Sequence, residues 1–378
     1  VTTLNIAVVG LGFGVDFLPI YQSHPQVGKV GICDRDADRL RDVGEAFGIQ
    51  DRHTDLDEVL CREDYDAVHL LTPVAWHRQQ VLQILAAGKH VASAVPMGRS
   101  IEDLDSILAA QQRSGKNYMM METAVYGREF FFVEDLIARG QLGEITFLRG
   151  THIQDLDGFP SYWWGYPPML YATHALSPLL ALCGQTVSSV RCLGSGRLPP
   201  ELMHDYDNPF PLEAALFRLG DGELAAEVTA SFHRVARSFH EGFSIYGTRS
   251  GFEWQQLEHE QPTLFELGPA PEHRRGGLTA EHRVALPDRH DTLPAQIRRF
   301  TQATDYAPGT GRTIRTPAYH SGSHPHLAHE FVSSVIEGRR PAVDAITAAQ
   351  WCAPGICAHH SAMQGGEAVE VPRYHDAC

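Results

Sequence analysis

Along its first third the chain alternates short apolar runs with amphipathic stretches, the pattern of strand–helix pairs feeding a parallel sheet. Leu4 to Val9 reads as a buried strand, then comes a glycine turn and a helix to about Ser23. Val30 to Cys33 predicts a second strand, and Ala37 to Phe47 a helix with Leu40, Val43 and Phe47 at helical spacing. Ala67 to Leu71 predicts a third strand ending at Thr72-Pro73, with a helix through Ala87 behind it. Lys89 to Ala94, a helix from Glu102 to Ser114, and Met119 to Glu122 complete the series.

Past Glu122 the period changes. A helix from Phe130 to Arg139 gives way to alternating runs at Glu144 to His152, Ser188 to Gly194, Glu213 to Leu219, Glu223 to Ser231 and Phe243 to Tyr246. Gly220-Asp221-Gly222 and the stretch from Gly247 to Gly251 read as hairpin turns, so this sheet is expected to be open and mostly antiparallel, with helices on one face. Residues 262–316, rich in Pro, Gly, His and Arg, predict long loops with at most a short helix around Leu293 to Phe300. Helices are expected again at His324 to Gly338 and Ala345 to Ala362. The fold class is therefore α/β: a doubly wound parallel sheet over residues 1–123, then a second α/β domain over 124–378 whose last helices are expected to pack back on the first.

The 378 residues suffice for two cores, and 31 basic against 46 acidic residues leave a net charge of −15. Such a surface repels phosphate backbones and anionic lipid heads, so neither nucleic acid nor membrane is an expected partner. No apolar run is long enough to span a bilayer and no signal peptide is recognisable at the start, which predicts a cytoplasmic protein. Seven scattered cysteines without a C-x-x-C pair fit reduced thiols and imply no zinc site.

Gly10-Leu11-Gly12-Phe13-Gly14-Val15 follows a strand and opens a helix, the context in which a glycine turn binds pyrophosphate. Gly10 permits the tight turn, Gly12 lets backbone approach the phosphates, and the helix N-terminus favours the anion. The usual spacing wants a small residue at Val15, and the third glycine stands one place early, at Gly14, so helix and strand are expected to pack slightly apart. Asp34, at the end of the second strand, is placed to accept the adenosine ribose hydroxyls and favours NAD over NADP; Arg35 beside it could neutralise a phosphate or stack on adenine.

In their order and spacing these residues resemble the glucose–fructose oxidoreductase/inositol dehydrogenase (Gfo/Idh/MocA) superfamily over nearly the whole chain. The marks are Gly10-Leu11-Gly12, Asp34, Thr72-Pro73-x-x-x-His77, Gly88-Lys89-His90-Val91 running to Pro96, Gly140-x-x-Gly143-x-Ile145, His174 and the stretch from Glu330-Phe331 to Pro341. The resemblance implies NAD held by Gly10, Gly12, Phe13, Gly14, Asp34, Arg35, Thr72, Pro73, His77 and Glu122. It also implies a carbohydrate substrate and a homo-oligomer, dimer or tetramer, formed through the open sheet.

One departure from the superfamily pattern changes the chemistry. Most members carry Glu-Lys-Pro after the Gly-Lys-His strand, and here the chain reads Ala94-Val95-Pro96, which has no proton to exchange; the aspartate usual four residues before the histidine is replaced by Leu170. The NAD-dependent glycosidase branch, α-N-acetylgalactosaminidases among them, shares Val-Pro there. Its Met-Met-x-Glu stretch is similar to Met119 to Gly127, and its Tyr-x-Thr-His-x-x-x-Pro motif to Tyr171 to Pro178. Such enzymes oxidise a ring hydroxyl, eliminate the aglycone, add water and reduce the ketone again. By this resemblance His174, Tyr171, Tyr126 and Glu122 are the candidate catalytic groups; Tyr171 and His174, three apart, share a face if helical.

The aromatic run Tyr162-Trp163-Trp164-Gly165-Tyr166 suits a sugar-stacking wall as well as it suits packing. Trp163, Trp164, His152, His320 and His324 are taken as candidate substrate contacts. Ser-Gly-Ser-His-Pro around His324 reads as a helix start rather than a metal site, and no metal is expected. A net NAD-dependent sugar or cyclitol dehydrogenase, and an inactive NAD- or sugar-binding regulator, are the competing functions. Sugar, anomer and aglycone are not encoded legibly, nor is whether the sugar is anionic, for instance sulfonated.

Overall fold

A computed structural model describes residues 3–203, 206–273 and 275–375. The chain divides into two compact units: residues up to Gly127 together with Asp288–Ala349, and Arg128–Pro287 together with Gln350–His375. Among the described residues no helix is long and apolar enough to cross a membrane.

The first unit is built on a six-stranded parallel sheet in the order β3-β2-β1-β4-β5-β6, with β1 Leu4–Val9, β2 Val27–Cys33, β3 Arg52–His53, β4 Ala67–Leu70, β5 His90–Ser93 and β6 Tyr118–Met120. The order reverses between β1 and β4, and it is outside the carboxyl ends of the strands at such a switch that ligands bind in open α/β sheets. Helices begin and end on the expected signals. Asp36 caps Ala37–Phe47 by accepting from the N–H groups of Asp38 and Arg39, and Gly48 closes that helix at φ 68°. The core joins Ile6, Val8, Phe17, Leu18 and Ile32 to Leu327, Phe331 and Val332 of the later helix His324–Ile336.

The second unit carries a nine-stranded mixed sheet. Its strands in chain order are β7 Ile145–Gln154, β8 Val187–Ser195, β9 Leu212–Leu219, β10 Leu224–Ser231, β11 Phe239–Gly247, β12 Ser250–Glu253, β13 Thr263–Leu267 and β14 Thr279–Arg283. The pair β15 Thr304–Tyr306 and β16 Ile314–Thr316 belongs to the first unit, and β17 Val369–Glu370 adds the last strand of the large sheet, ordered β14-β13-β12-β11-β7-β10-β9-β8-β17. Neighbours pair antiparallel except β7 with β10, which runs parallel. The helix Thr173–Cys183 lies directly on this sheet: a Cβ at Gly150 of β7 would come within 2.2 Å of the carbonyl oxygen of Ala175, so only glycine admits the approach. On the opposite face Leu193 and Leu216 remain 61% and 58% exposed.

Residues 262–316 are not the plain loops expected. They hold the β13–β14 hairpin, which extends the large sheet, and the β15–β16 pair; in place of a helix over Leu293 to Phe300 there are two short 3-10 turns, His290–Thr292 and Arg298–Thr301. The short strand β3 and the helix Leu56–Leu60 were also not foreseen.

Candidate active site

In the first unit the glycine turn sits at the β1/β4 switch. Gly10 adopts φ 94°, and a Cβ there would lie 2.6 Å from the carbonyl oxygen of Leu71, so the position admits only glycine. A Cβ on Gly12 would meet nothing within 4 Å, which leaves its backbone open to a ligand, while Gly14 does the close packing: a Cβ there would lie 2.8 Å from Val8 Cγ1. The expected gap between helix and strand is therefore corrected, because the early third glycine itself provides the contact. Phe13 is exposed at the rim.

Asp34 ties this turn to the second strand. Its Oδ2 accepts the N–H of Leu11 at 2.8 Å and its Oδ1 that of Asp36 at 2.9 Å. The guanidinium facing it, at 3.5 Å, belongs to Arg39; Arg35 is exposed beside it. Thr72, just after β4, bonds to Gln80 through its hydroxyl, and Pro73 precedes the 3-10 turn Val74–Trp76. His77 is buried with Nδ1 2.8 Å from the carbonyl oxygen of Pro96 and Nε2 2.8 Å from that of Thr72. Burial lowers its proton affinity and the two carbonyls raise it, burial being the larger effect. Its place is that of a staple between the two loops at the sheet edge. Val95 in one of those loops is buried.

Glu122 follows β6, fully buried, and its Oε1 accepts the N–H of Ala124 as the cap of the turn Thr123–Val125. Tyr126 is partly buried against the core. The ring of His324 stacks on Phe17 at 4.5 Å and meets Phe13 edge-on at 5.5 Å, so it packs under the fingerprint helix, and burial holds its pKa well below the usual value. His320 and Ser321 both take left-handed backbone, φ 47° and 54°, next to Gly322, a strained run for non-glycine residues. Asp16 of the same unit has its pKa raised to about 6 by burial, with His320 acting the other way.

In the second unit, Tyr171 ends a 3-10 turn, Pro168–Tyr171, and His174 is the second residue of the helix that follows. They are thus not on one helical face, yet their rings lie 5.1 Å apart. His152, buried on β7, brings its ring to 5.2 Å from His174 and 5.7 Å from Tyr171. Phe232 stands 5.3 Å from His152 and Trp163 5.4 Å from Tyr171, so the two histidines and the tyrosine sit in an aromatic cup. Trp164 is exposed, its Nε1 donating to the carbonyl of Phe159 at 3.3 Å. Among the described residues no group of three or more His, Cys, Asp or Glu side chains is arranged to hold a metal.

Residues that escaped the sequence reading are Arg39, Phe232, and the buried pair of Glu213 with His359. Arg39 lies within reach of a helix-spacing argument from Asp34; the others come from distant strands and helices with no local signal.

Residues 4–122 match the oxidoreductase family with the NAD-binding Rossmann fold, GFO_IDH_MocA. Over this segment the chain is similar to the Gfo/Idh/MocA oxidoreductases, and the match is to an NAD-binding Rossmann fold. A glycosyl hydrolase family 109 protein of Saccharopolyspora erythraea is 22% identical over 98% of this chain and 83% of its own length. A 4-carboxy-2-hydroxymuconate-6-semialdehyde dehydrogenase of a Sphingobium strain is 28% identical over 53% of this chain and 64% of its own. Among solved structures, levoglucosan dehydrogenase in complex with NADH and levoglucosan shares the fold at a TM-score of 0.76, with 20% identity over 98% of this chain and all of that one.

Proposed function

We propose that the protein is an NAD-dependent glycoside hydrolase that cleaves a sugar glycoside without net redox change. The observation that carries this is the pairing of a proton-free Val95, where a dehydrogenase of this family places lysine, with the clustered His152, Tyr171 and His174. The residues of the first unit suit the dinucleotide: Gly12 offers open backbone at a helix start, Gly10 and Gly14 bring turn and strand together, and Asp34 and Phe13 stand at the rim. When bound, NAD supplies a hydride acceptor and later returns the same hydride.

The chain's own groups manage protons. His174 takes the proton of the ring hydroxyl at C3 as its carbon gives up hydride, and Tyr171 shares that proton through the adjacent phenol. Histidine suits the task because imidazole titrates near neutral pH. The ketone so formed acidifies the neighbouring C–H. A base of the cluster takes that proton and a protonated member gives one to the departing aglycone oxygen. Water then adds across the C1–C2 double bond, its proton going to C2, and His174 gives its proton back to the C3 oxygen as the alcohol is restored. Trp163 stacks on the C–H face of the sugar, and the buried His152 backs the rings of Tyr171 and His174. Glu122, Thr72 and His77 keep the sheet-edge loops in place, and Tyr126 is a further acid candidate. Copies of the chain associate through the outer face of the nine-stranded sheet, where Leu193 and Leu216 are exposed.

A net dehydrogenase is the second reading, favoured by the likeness to the semialdehyde dehydrogenase. Nitrophenol release and NADH absorbance followed together on aryl glycosides separate the two. Release without NADH growth supports hydrolysis, and NADH accumulating in step with free sugar overturns it. Deuterium uptake beside C3 from heavy water reports the ketone directly.

A further inference from the structure

Alternation along β9 turns Glu213 inward in series with Ala215, Phe217 and Leu219, and leaves it 0% exposed. A carboxylate there needs partners. Its Oε1 accepts from His359 Nδ1 at 2.7 Å, and its Oε2 accepts the backbone N–H of Met169 at 2.8 Å. Bonds to an ionised acceptor are about twice as strong as neutral ones. Met169 lies in the turn that ends at Tyr171. Because Pro167 and Pro168 have no N–H, its amide is the first donor the turn can offer after Tyr166. The helix Ala345–Met363 that carries His359 also closes on the other side of that peptide, where a Cβ at Gly355 would come within 2.2 Å of the Met169 carbonyl oxygen.

We propose that Glu213 and His359 are a positioning pair: together they fix the Met169 peptide, and through it the Tyr171 phenol and the start of the helix bearing His174. Neither touches the reacting atoms. The effect on turnover rests on the roles given to Tyr171 and His174 above; the grip on the turn does not.

The test uses the full chain with NAD bound and three variants: His359→Ala, His359→Asn, which keeps a neutral donor at the Nδ1 position, and Glu213→Gln. Amide hydrogen exchange of the peptide covering residues 166–176 should accelerate by about tenfold or more in the alanine variant and stay near wild type in the asparagine variant, with Rossmann peptides unchanged. The kcat on an aryl glycoside should fall by about ten- to a hundredfold in His359→Ala, the cost of misplacing a reacting group by a fraction of an ångström to an ångström. KM and NAD affinity should hold, and His359→Asn should recover most of the rate. Glu213→Gln should fall between the two. Unchanged exchange at Met169 in the alanine variant, or equal rate losses for alanine and asparagine, overturns the proposal. A wild-type protein that turns over no glycoside sinks the hydrolase reading instead, and the exchange measurement still decides whether the pair holds the turn.

Discussion

Valine cannot accept a proton from an alcohol, and Val95 is buried at its sheet edge; the proposal gives the acid–base work to Tyr171 and His174, whose rings lie 5.1 Å apart. His174→Ala should cut kcat by about 10²- to 10⁴-fold and Tyr171→Phe by about 10²-fold, with NAD binding retained, as measured by nitrophenol release and by cofactor titration. Full activity in both would remove the proposed site. Gly10 tests the other end of the chemistry. An added Cβ would press on the Leu71 carbonyl at a φ that only glycine adopts freely, so Gly10→Ala should store about 1–3 kcal/mol of strain and weaken NAD affinity at least tenfold in the same titration. These residues were legible because local motifs carry them: glycines after a strand, and a tyrosine three places before a histidine. Glu213 and His359 were not, since 146 residues separate them and only the folded sheet and helix make them neighbours.

Elements were legible where burial is one-sided or complete. The strands β1, β4 and β5 are buried along almost their whole length, and the helix Ala37–Phe47 shows its stripe and its cap, so sequence and structure agree there closely. The β13–β14 hairpin left no such trace. Every residue of β14 is exposed and β13 is nowhere buried, so neither strand carries the period-two pattern that one buried face would impose. The outer face of the same sheet carries its own prediction. Leu193 on β8 and Leu216 on β9, neighbouring strands, are exposed leucines on the face through which the proposed association runs. Leu216→Arg should shift the protein to a smaller species in light scattering while leaving NAD affinity intact. An unchanged mass would show that copies, if they associate, do so elsewhere.

Across the whole molecule, buried histidines set how stability responds to acid. In the Rossmann unit burial pushes His69 down to about 3 and, with the charge of His329 adding to it, His24 down to about 4; His324 falls well below the usual value for the same reason. All three are neutral when folded, whereas the unfolded chain protonates them near 6.5. Stability is therefore unaffected above that pH, declines as pH falls through 6.5, and stops declining from this cause only once the folded pKa values are passed. Asp16 opposes them: with its pKa raised to about 6 against 3.8 unfolded, it holds a proton when folded, so acid favours the fold between those values. These three histidines against one carboxyl contribute about two protons taken up on unfolding near pH 5, about 3 kcal/mol per pH unit, and His77, His90, His329, His233 and His240, also lowered by burial, steepen the fall further. Urea unfolding followed by circular dichroism at pH 7.5, 6 and 5 should show this fall. His24→Gln should flatten it by about one proton, because the uncharged amide removes the group whose protonation differs between the two states. A stability that stays level from pH 6.5 to 5 would mean these histidines are already charged in the folded protein.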